Sequence, residues 1–290
     1  MKLGILGGSG LYEIETLQQP NWISVCSKFG TPSDEFLTGT LNGVDVVFLP
    51  RHGRGHVYSP STVPFRANID CLKRLGVTHL VSLSACGSLN EDMAPGEFVV
   101  VNQFIDRTFM RETSFFGKGC VAHVSLAHPV CSVLSDLCIR AASTLNIKVH
   151  AKGSYLCMEG PQFSTLKEST LYKNNFGCDI IGMTNMPEAK LAREAEICYS
   201  SIGMVTDFDC WHPEHDAVDV TTIVKTMSSN SENAKQFLES LTSIMGFSME
   251  CTTGCDRALD NAIITSPEKI DASMKQKLEA ITGRVWKKND

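Results

Sequence analysis

Leu3-Gly4-Ile5-Leu6-Gly7-Gly8-Ser9-Gly10 opens the chain with an apolar run of strand length that ends in a cluster of glycines. Without Cβ atoms, the backbone N–H groups of such a turn can converge on an anion, and phosphate is the obvious candidate. The spacing is not that of a Walker loop, because no Gly-Lys-Ser/Thr follows, and Gly7, Gly8 and Gly10 do not fit Gly-x-Gly-x-x-Gly. A plain tight turn fits the same residues equally well. Either way, a buried strand feeding a turn at the start of a chain points to a sheet-centred fold.

Similar short runs rich in Val, Ile and Leu recur at 44–49, 79–83, 97–101, 179–183 and 198–205, several of them bounded by Gly or Pro. Helical spacing fills the intervals at 63–75, 132–145, 166–176, 188–196 and 220–245. This alternation predicts an α/β fold, one domain with a central, mostly buried sheet flanked by helices. The runs 36–41 and 44–49 flank Asn42-Gly43, a dipeptide suited to a two-residue hairpin, so the sheet should be mixed. Asn185 is a candidate helix cap beside Pro187, and Ser266-Pro267 starts a last helical region. With no linker-like tract or internal repeat, 1–246 reads as one domain and 247–290 as a C-terminal extension, helical and packed on that domain or at a subunit contact.

Composition excludes several classes. The 32 acidic residues outweigh 26 basic ones, for a net charge of -6, which argues against a nucleic-acid-binding face. No apolar stretch reaches the roughly 18 residues of a membrane span, and residues 1–7 lack a signal-peptide pattern, so a cytoplasmic location is expected. In that reducing compartment the 12 cysteines should be mostly buried thiols. Cys251 and Cys255 form a C-x3-C pair without the C-x2-C repeat of a zinc site, so no metal is expected, although a disulfide or a metal staple stays open for this pair.

Two further strand ends carry polar groups suited to an anion. Pro50-Arg51-His52-Gly53 places a guanidinium fork for two oxygens and an imidazole with a directed N–H after the 44–49 strand. Ser82-Leu83-Ser84-Ala85-Cys86-Gly87-Ser88 offers hydroxyls and closely approachable amides. Singly, each reads as a solvated loop or a surface ion pair; jointly, they point to one ligand site at the strand ends.

Thr206-Asp207-Phe208-Asp209-Cys210-Trp211 follows the 198–205 strand. Extended backbone would put both carboxylates on one face, where repulsion and desolvation raise a pKa and retain the proton a general acid needs. A strand-end turn with Asp capping the next helix is the plainer alternative. His212-Pro213-Glu214-His215-Asp216 offers metal-binding side chains, but Pro213 and the His212 to His215 spacing do not set two imidazoles on one helical face. Met158-Glu159-Gly160-Pro161-Gln162-Phe163-Ser164 presents a carboxylate, a hydroxyl and a ring that could stack on a purine or simply fill core.

In combination, Gly4 to Gly10, Arg51-His52-Gly53-Arg54, Ser84-Ala85-Cys86-Gly87-Ser88, Glu159-Gly160-Pro161-Gln162-Phe163-Ser164, Gly182-Met183-Thr184-Asn185-Met186-Pro187-Glu188 and Thr206-Asp207-Phe208-Asp209 resemble the methylthioadenosine-cleaving branch of the trimeric purine nucleoside phosphorylase family. The resemblance spans about residues 2–244, and six motifs in this order are specific. It implies phosphorolysis of S-methyl-5'-thioadenosine to adenine and 5-methylthio-α-D-ribose 1-phosphate, in purine and methionine salvage. No cofactor is implied, only inorganic phosphate as co-substrate.

By the same resemblance, Ser9, Arg51, His52, Ser84, the Ala85 backbone and Thr184 hold phosphate, and Met183 packs on the ribose. Phe163 and Ser164 border the base, Asp207 is the catalytic acid at N7, and Asp209 meets the 6-amino group. His123, Val220, Ile223 and Val224 wall the 5'-methylthio group, His123 reaching a neighbouring subunit of a homotrimer. Specificity falls to Ser164, Val220, Asp207 and Asp209. Val220, Ile223, Val224 and Met227 also fit an ordinary helical core stripe. A phosphorylase for 6-oxopurine nucleosides, such as methylthioinosine or inosine, is the alternative; a carboxylate facing a 6-oxo group would set acceptor against acceptor.

Overall fold

The computed structural model describes residues 1–8, 11, 14–213, 220–246 and 250–286. Among them, nine strands form one mixed sheet: β1 (Lys2–Gly7), β2 (Gln18–Ile23), β3 (Phe36–Leu41), β4 (Val44–Pro50), β5 (His79–Ser88), β6 (Phe98–Arg107), β7 (Val149–Met158), β8 (Ile180–Gly182) and β9 (Cys198–Asp207). Six helices flank it: α1 (Phe65–Arg74), α2 (Ser132–Ala142), α3 (Leu166–Asn174), α4 (Asn185–Glu194), α5 (Val220–Ile244) and α6 (Ala272–Trp286).

Strands β4, β1, β5 and β9 run parallel and side by side, so their C-terminal ends share one rim. Register aligns Gly7 with Pro50, Leu6 with Ser82, Ser84 with Gly203 and Gly87 with Asp207. The end of β5 also pairs with β8, which continues through β7 and β6 back to β9. That circuit is closed: five strands curl around a barrel-like core, and β1, β4, β3 and β2 extend from it as an open wing.

The period-2 pattern sorts side chains between two cores. Along β4, Val47 and Leu49 join the core under α1, α4 and α6, while Val46 and Phe48 face the core under α2 and α5. The hairpin forms as expected, with Asn42 at φ 50° and Gly43 at φ 79°, both left-handed. The C-terminal segment packs on the same domain: Leu278 and Ile281 of α6 are buried in the α1 core, and Arg284 pairs with buried Glu196 at 2.6 Å.

Asn185 is not a cap. Thr184 precedes α4 without a side-chain cap, and the element is kinked at Met186 (φ -115°, ψ 128°), so its regular turns begin at Pro187. The Asn185 amide is drawn inward, donating to Ser82 Oγ at 3.2 Å and accepting from Ser201 Oγ at 2.8 Å. Two strands lack a sequence signal: β2 is an edge strand with mostly exposed polar residues and Pro20, and β7 begins with a half that is mixed in polarity and partly exposed.

Candidate active site

The shared rim gathers the polar strand ends. Ser84, near the end of β5, lies against Thr184 at the start of α4, with hydroxyl oxygens 3.3 Å apart. Tyr155 OH of β7 sits 3.1 Å from the same Ser84 Oγ. The two hydroxyls can donate together to an anion at the rim. Ala85 and Gly87 are the partly exposed positions of the β5 end.

Arg51 is buried directly behind. Its guanidinium ion-pairs with Glu188 of α4 and donates to Leu83 O at 3.1 Å and Ser82 Oγ at 2.6 Å. Burial works to deprotonate it, but the Glu188 carboxylate more than compensates and raises its pKa. Most of its N–H groups are therefore committed before any anion arrives. Glu188, which the sequence reading passed over, neutralises the cation and sets its orientation.

His52 departs from the expected donor geometry. Its Nδ1 lies 2.9 Å from the carbonyl of Tyr58 and must carry the proton to bond there. Burial, then the neighbouring Arg51 charge, depress its pKa to about 4, so the ring is neutral at physiological pH and Nε2 is an acceptor. A protonated phosphate oxygen suits that nitrogen; a bare oxyanion does not.

The carboxylate pair stands at the end of β9. Asp207 faces Gly87 across the ladder, and a Cβ at Gly87 would lie 2.9 Å from Asp207 Oδ1 and 3.4 Å from the Asp209 Cβ. Burial raises the Asp207 pKa, against the opposing hydrogen bonds from Thr206 Oγ1 and the Asp209 amide. Asp209 adopts a left-handed φ of 50°, strained for a residue with a Cβ. Burial raises its pKa as well, with the Ser169 and Ser164 hydroxyls nearby lowering it. Its Oδ2 is nevertheless buried without a hydrogen-bond partner, an acceptor held ready for a donor.

The surrounding walls are tied by Arg111 and Glu159, neither given a role beforehand. Arg111 donates to Met183 O at 2.6 Å and Glu159 O at 2.8 Å, and its Nε lies 3.2 Å from Glu159 Oε1. Glu159 also accepts from the Phe109 amide at 2.6 Å. Met183 packs over Gly160, whose φ is 70°; a Cβ there would lie 2.5 Å from the Met183 sulfur. Phe163 is exposed, and Ser164 is near Asp209, its carbonyl accepting from Cys210 Sγ at 3.4 Å. Trp211 Nε1 donates to Ser88 O at 2.7 Å, which ties the loop after Asp209 to the end of β5.

Other predicted positions stand apart. Ser9 lies outside the described residues, as do the side chains of Val220 and Ile223, although α5 includes both positions. Val224 is 60 % exposed, so it does not belong to a core stripe within this chain. His123 is exposed on a segment whose backbone bonds to Ala262 of the C-terminal region at 2.9 Å. His212 packs against Phe208 and Trp211, ring centroids 4.8 and 5.0 Å away; residues 214–216 lie outside the described residues. No described helix is long and apolar enough to cross a membrane.

Known proteins resemble the chain over nearly its whole length. Residues 2–243 match the phosphorylase superfamily. An S-methyl-5'-thioadenosine phosphorylase of Cereibacter sphaeroides is 61 % identical over 286 residues, covering 98 % of each chain. One from Rhodospirillum rubrum is 55 % identical, covering 98 % of this chain and 96 % of its own. Among solved structures, a methylthioadenosine phosphorylase from an Antarctic soil metagenomic library superposes with a TM-score of 0.91 at 45 % identity, covering 96 % of this chain and 98 % of its own. A variant of the adenosine/methylthioadenosine phosphorylase from Schistosoma mansoni, in complex with methylthioadenosine, gives 0.79 at 38 % identity, covering 86 % and 93 %.

Proposed function

This chain belongs to the phosphorylase superfamily, and we infer from that premise that it cleaves S-methyl-5'-thioadenosine with inorganic phosphate, giving adenine and 5-methylthio-α-D-ribose 1-phosphate. The observation that carries the reading is the spacing of two polar clusters along one strand. The Ser84–Thr184 pair and the Gly87–Asp207 contact are three residues apart at the end of β5, about 10 Å at the usual strand rise, the scale of a phosphate beside a ribose.

Phosphate sits among Ser9, Arg51, His52, Ser84, the Ala85 backbone and Thr184, below the ribose that packs on Met183. As the glycosidic bond to N9 loosens, phosphate attacks C1' from the opposite face and the configuration inverts. Asp207, whose pKa burial raises, gives its proton to N7 of the leaving adenine. The anion stabilises positive charge developing on the sugar. Asp209 accepts from the 6-amino group, which supports adenine over a 6-oxopurine: a 6-oxo group would leave that carboxylate without a donor. Phe163 and Ser164 border the base. The reaction uses no organic cofactor and no catalytic metal.

The enzyme works in the cytoplasm as a homotrimer, in which His123 of one subunit completes with Val220, Ile223 and Val224 of its neighbour the wall around the methylthio group. The exposure of His123, Val224, Phe109 and Met110 supports that reading. Incubation with methylthioadenosine, with and without phosphate, tests the reaction. Adenine and the sugar 1-phosphate should appear only with phosphate; free methylthioribose formed without it would make the protein a hydrolase. Light scattering on the purified protein tests the trimer, and a monomeric mass under assay conditions would remove it.

A further inference from the structure

Four cysteines distant in sequence converge at the other end of the sheet. The sulfurs of Cys131, Cys198, Cys251 and Cys255 all lie within 4.8 Å of one another; three of the residues are buried and Cys251 is half-buried. We propose that these four thiols form a structural zinc site, one ion per chain, that fastens the C-terminal segment to the core.

Geometry separates this from a disulfide. Zinc–sulfur bonds of about 2.3 Å in a tetrahedron set sulfurs about 3.8 Å apart, and Cys131 Sγ to Cys251 Sγ measures 3.9 Å. A disulfide joins two sulfurs at about 2.05 Å and has no use for a third and fourth converging on them. All four cysteines are free thiols. A shift of about 1 Å at the widest pair would bring the set to the tetrahedral spacing.

The surroundings suit thiolates. The Cys255 amide donates to Cys251 Sγ at 3.3 Å. The Thr253 hydroxyl stands among three of the sulfurs, 3.3 Å from Cys251, 3.4 Å from Cys255 and 3.8 Å from Cys131. Such donors orient metal-bound sulfur and temper its charge. Cys131 is also the N-cap of α2, where the helix dipole favours an anion. Binding divalent zinc replaces the thiol protons, which leave to solvent.

Four protein ligands leave no open coordination position, which marks a structural rather than a catalytic ion. Position says the same. Cys198 begins β9 and Asp207 ends it, about 30 Å apart at the strand rise. The four ligands join the start of α2, the start of β9 and the segment between α5 and α6. The C-x3-C pair was insufficient alone; Cys131 and Cys198 come from segments that no local spacing connects to it.

The test uses the full-length protein, purified with a thiol reductant in zinc-free buffer after growth with zinc. Elemental analysis should find close to one zinc per chain. Cys251→Ser and Cys255→Ser should lose it, and Cys26→Ser, at an exposed thiol outside the cluster, should keep it. Because a cluster variant can fail to fold, wild-type protein stripped by chelator is also titrated with cobalt(II). One equivalent should give the intense thiolate-to-cobalt charge transfer and tetrahedral d–d bands of an S4 site. Substoichiometric zinc without the cobalt spectrum would overturn the proposal. So would disulfides among these four residues in protein kept under reductant, or stoichiometric iron in place of zinc.

Discussion

The backbone amide of Asp209 donates to Asp207 Oδ1 at 2.8 Å while Thr206 Oγ1 donates to Oδ2 at 2.6 Å, so both oxygens of the Asp207 carboxyl are engaged before a substrate enters. Both bonds favour the ionised form, and burial outweighs them. Asp207→Asn should lower kcat by about 10²- to 10⁴-fold, the range for loss of a general acid. Since the wild-type group acts when protonated, kcat should fall as pH rises through its elevated pKa, and steady-state profiles of the variant should lack that limb. Near wild-type turnover in Asp207→Asn would remove the residue from this role.

The same group has an opposite effect on stability. A carboxyl whose folded pKa lies above its unfolded value of about 3.9 favours the native state at lower pH, and that contribution is lost as pH rises through the folded value. At pH 8 the wild type buries a costly charge that Asp207→Asn omits. Thermal melts at that pH should find the variant at least as stable as wild type; a clearly lower Tm would count against burial as the cause of the shift.

Asp209→Asn replaces an acceptor-only group with an amide that can also donate. Asp209 Oδ2 has no partner of its own, so the substitution should cost activity on methylthioadenosine and improve methylthioinosine in relative terms. The ratio of kcat/KM values should move toward the 6-oxo substrate by 10²-fold or more, as for sites that leave a buried polar group unmatched. An unchanged ratio would mean that Asp209 does not read the 6-position.

At Gly87, steric room is the issue. A Cβ would lie 2.9 Å from Asp207 Oδ1 and 3.2 Å from the Ile181 side chain, and one of them must move. Gly87→Ala should reduce kcat by about 10²-fold, the order expected for displacing a catalytic group by an ångström. Wild-type kinetics in this variant would show that the carboxylates tolerate displacement.

His52 predicts an acid limit. Its folded pKa of about 4 lies below the unfolded value of 6.5, so its contribution to stability is present above pH 6.5 and lost as pH falls toward 4. The full effect is on the order of 3 kcal/mol. Between pH 7 and 4, wild-type Tm should drop more steeply than that of His52→Gln, and parallel curves would contradict a buried neutral ring.

Local sequence revealed the strands that are hydrophobic on both faces, the Asn42-Gly43 hairpin and the polar strand ends, because burial and turn chemistry leave a pattern within a few residues. It did not reveal β2, whose exposed edge carries no alternation, β7, whose first half is mixed in polarity and partly exposed, or Glu188, whose part depends on Arg51 from another strand. The donor role expected for His52 failed for a similar reason: the tautomer is set by the Tyr58 carbonyl, a loop contact without a sequence signature. Arg111 has no local signature because its partners are carbonyls and the carboxylate of Glu159, 48 residues away. The roles given to Ser164 and His123 came from family resemblance, since neither residue is distinctive in its own stretch.

Strand β9 has a chemically demanding tip and a sulfur-rich root, with a buried, sheet-paired stretch between them. Selection for durability can work at the root while selection for turnover works at the tip, each with little interference from the other. Descendants of this chain can therefore change the heat they withstand without renegotiating the chemistry they perform.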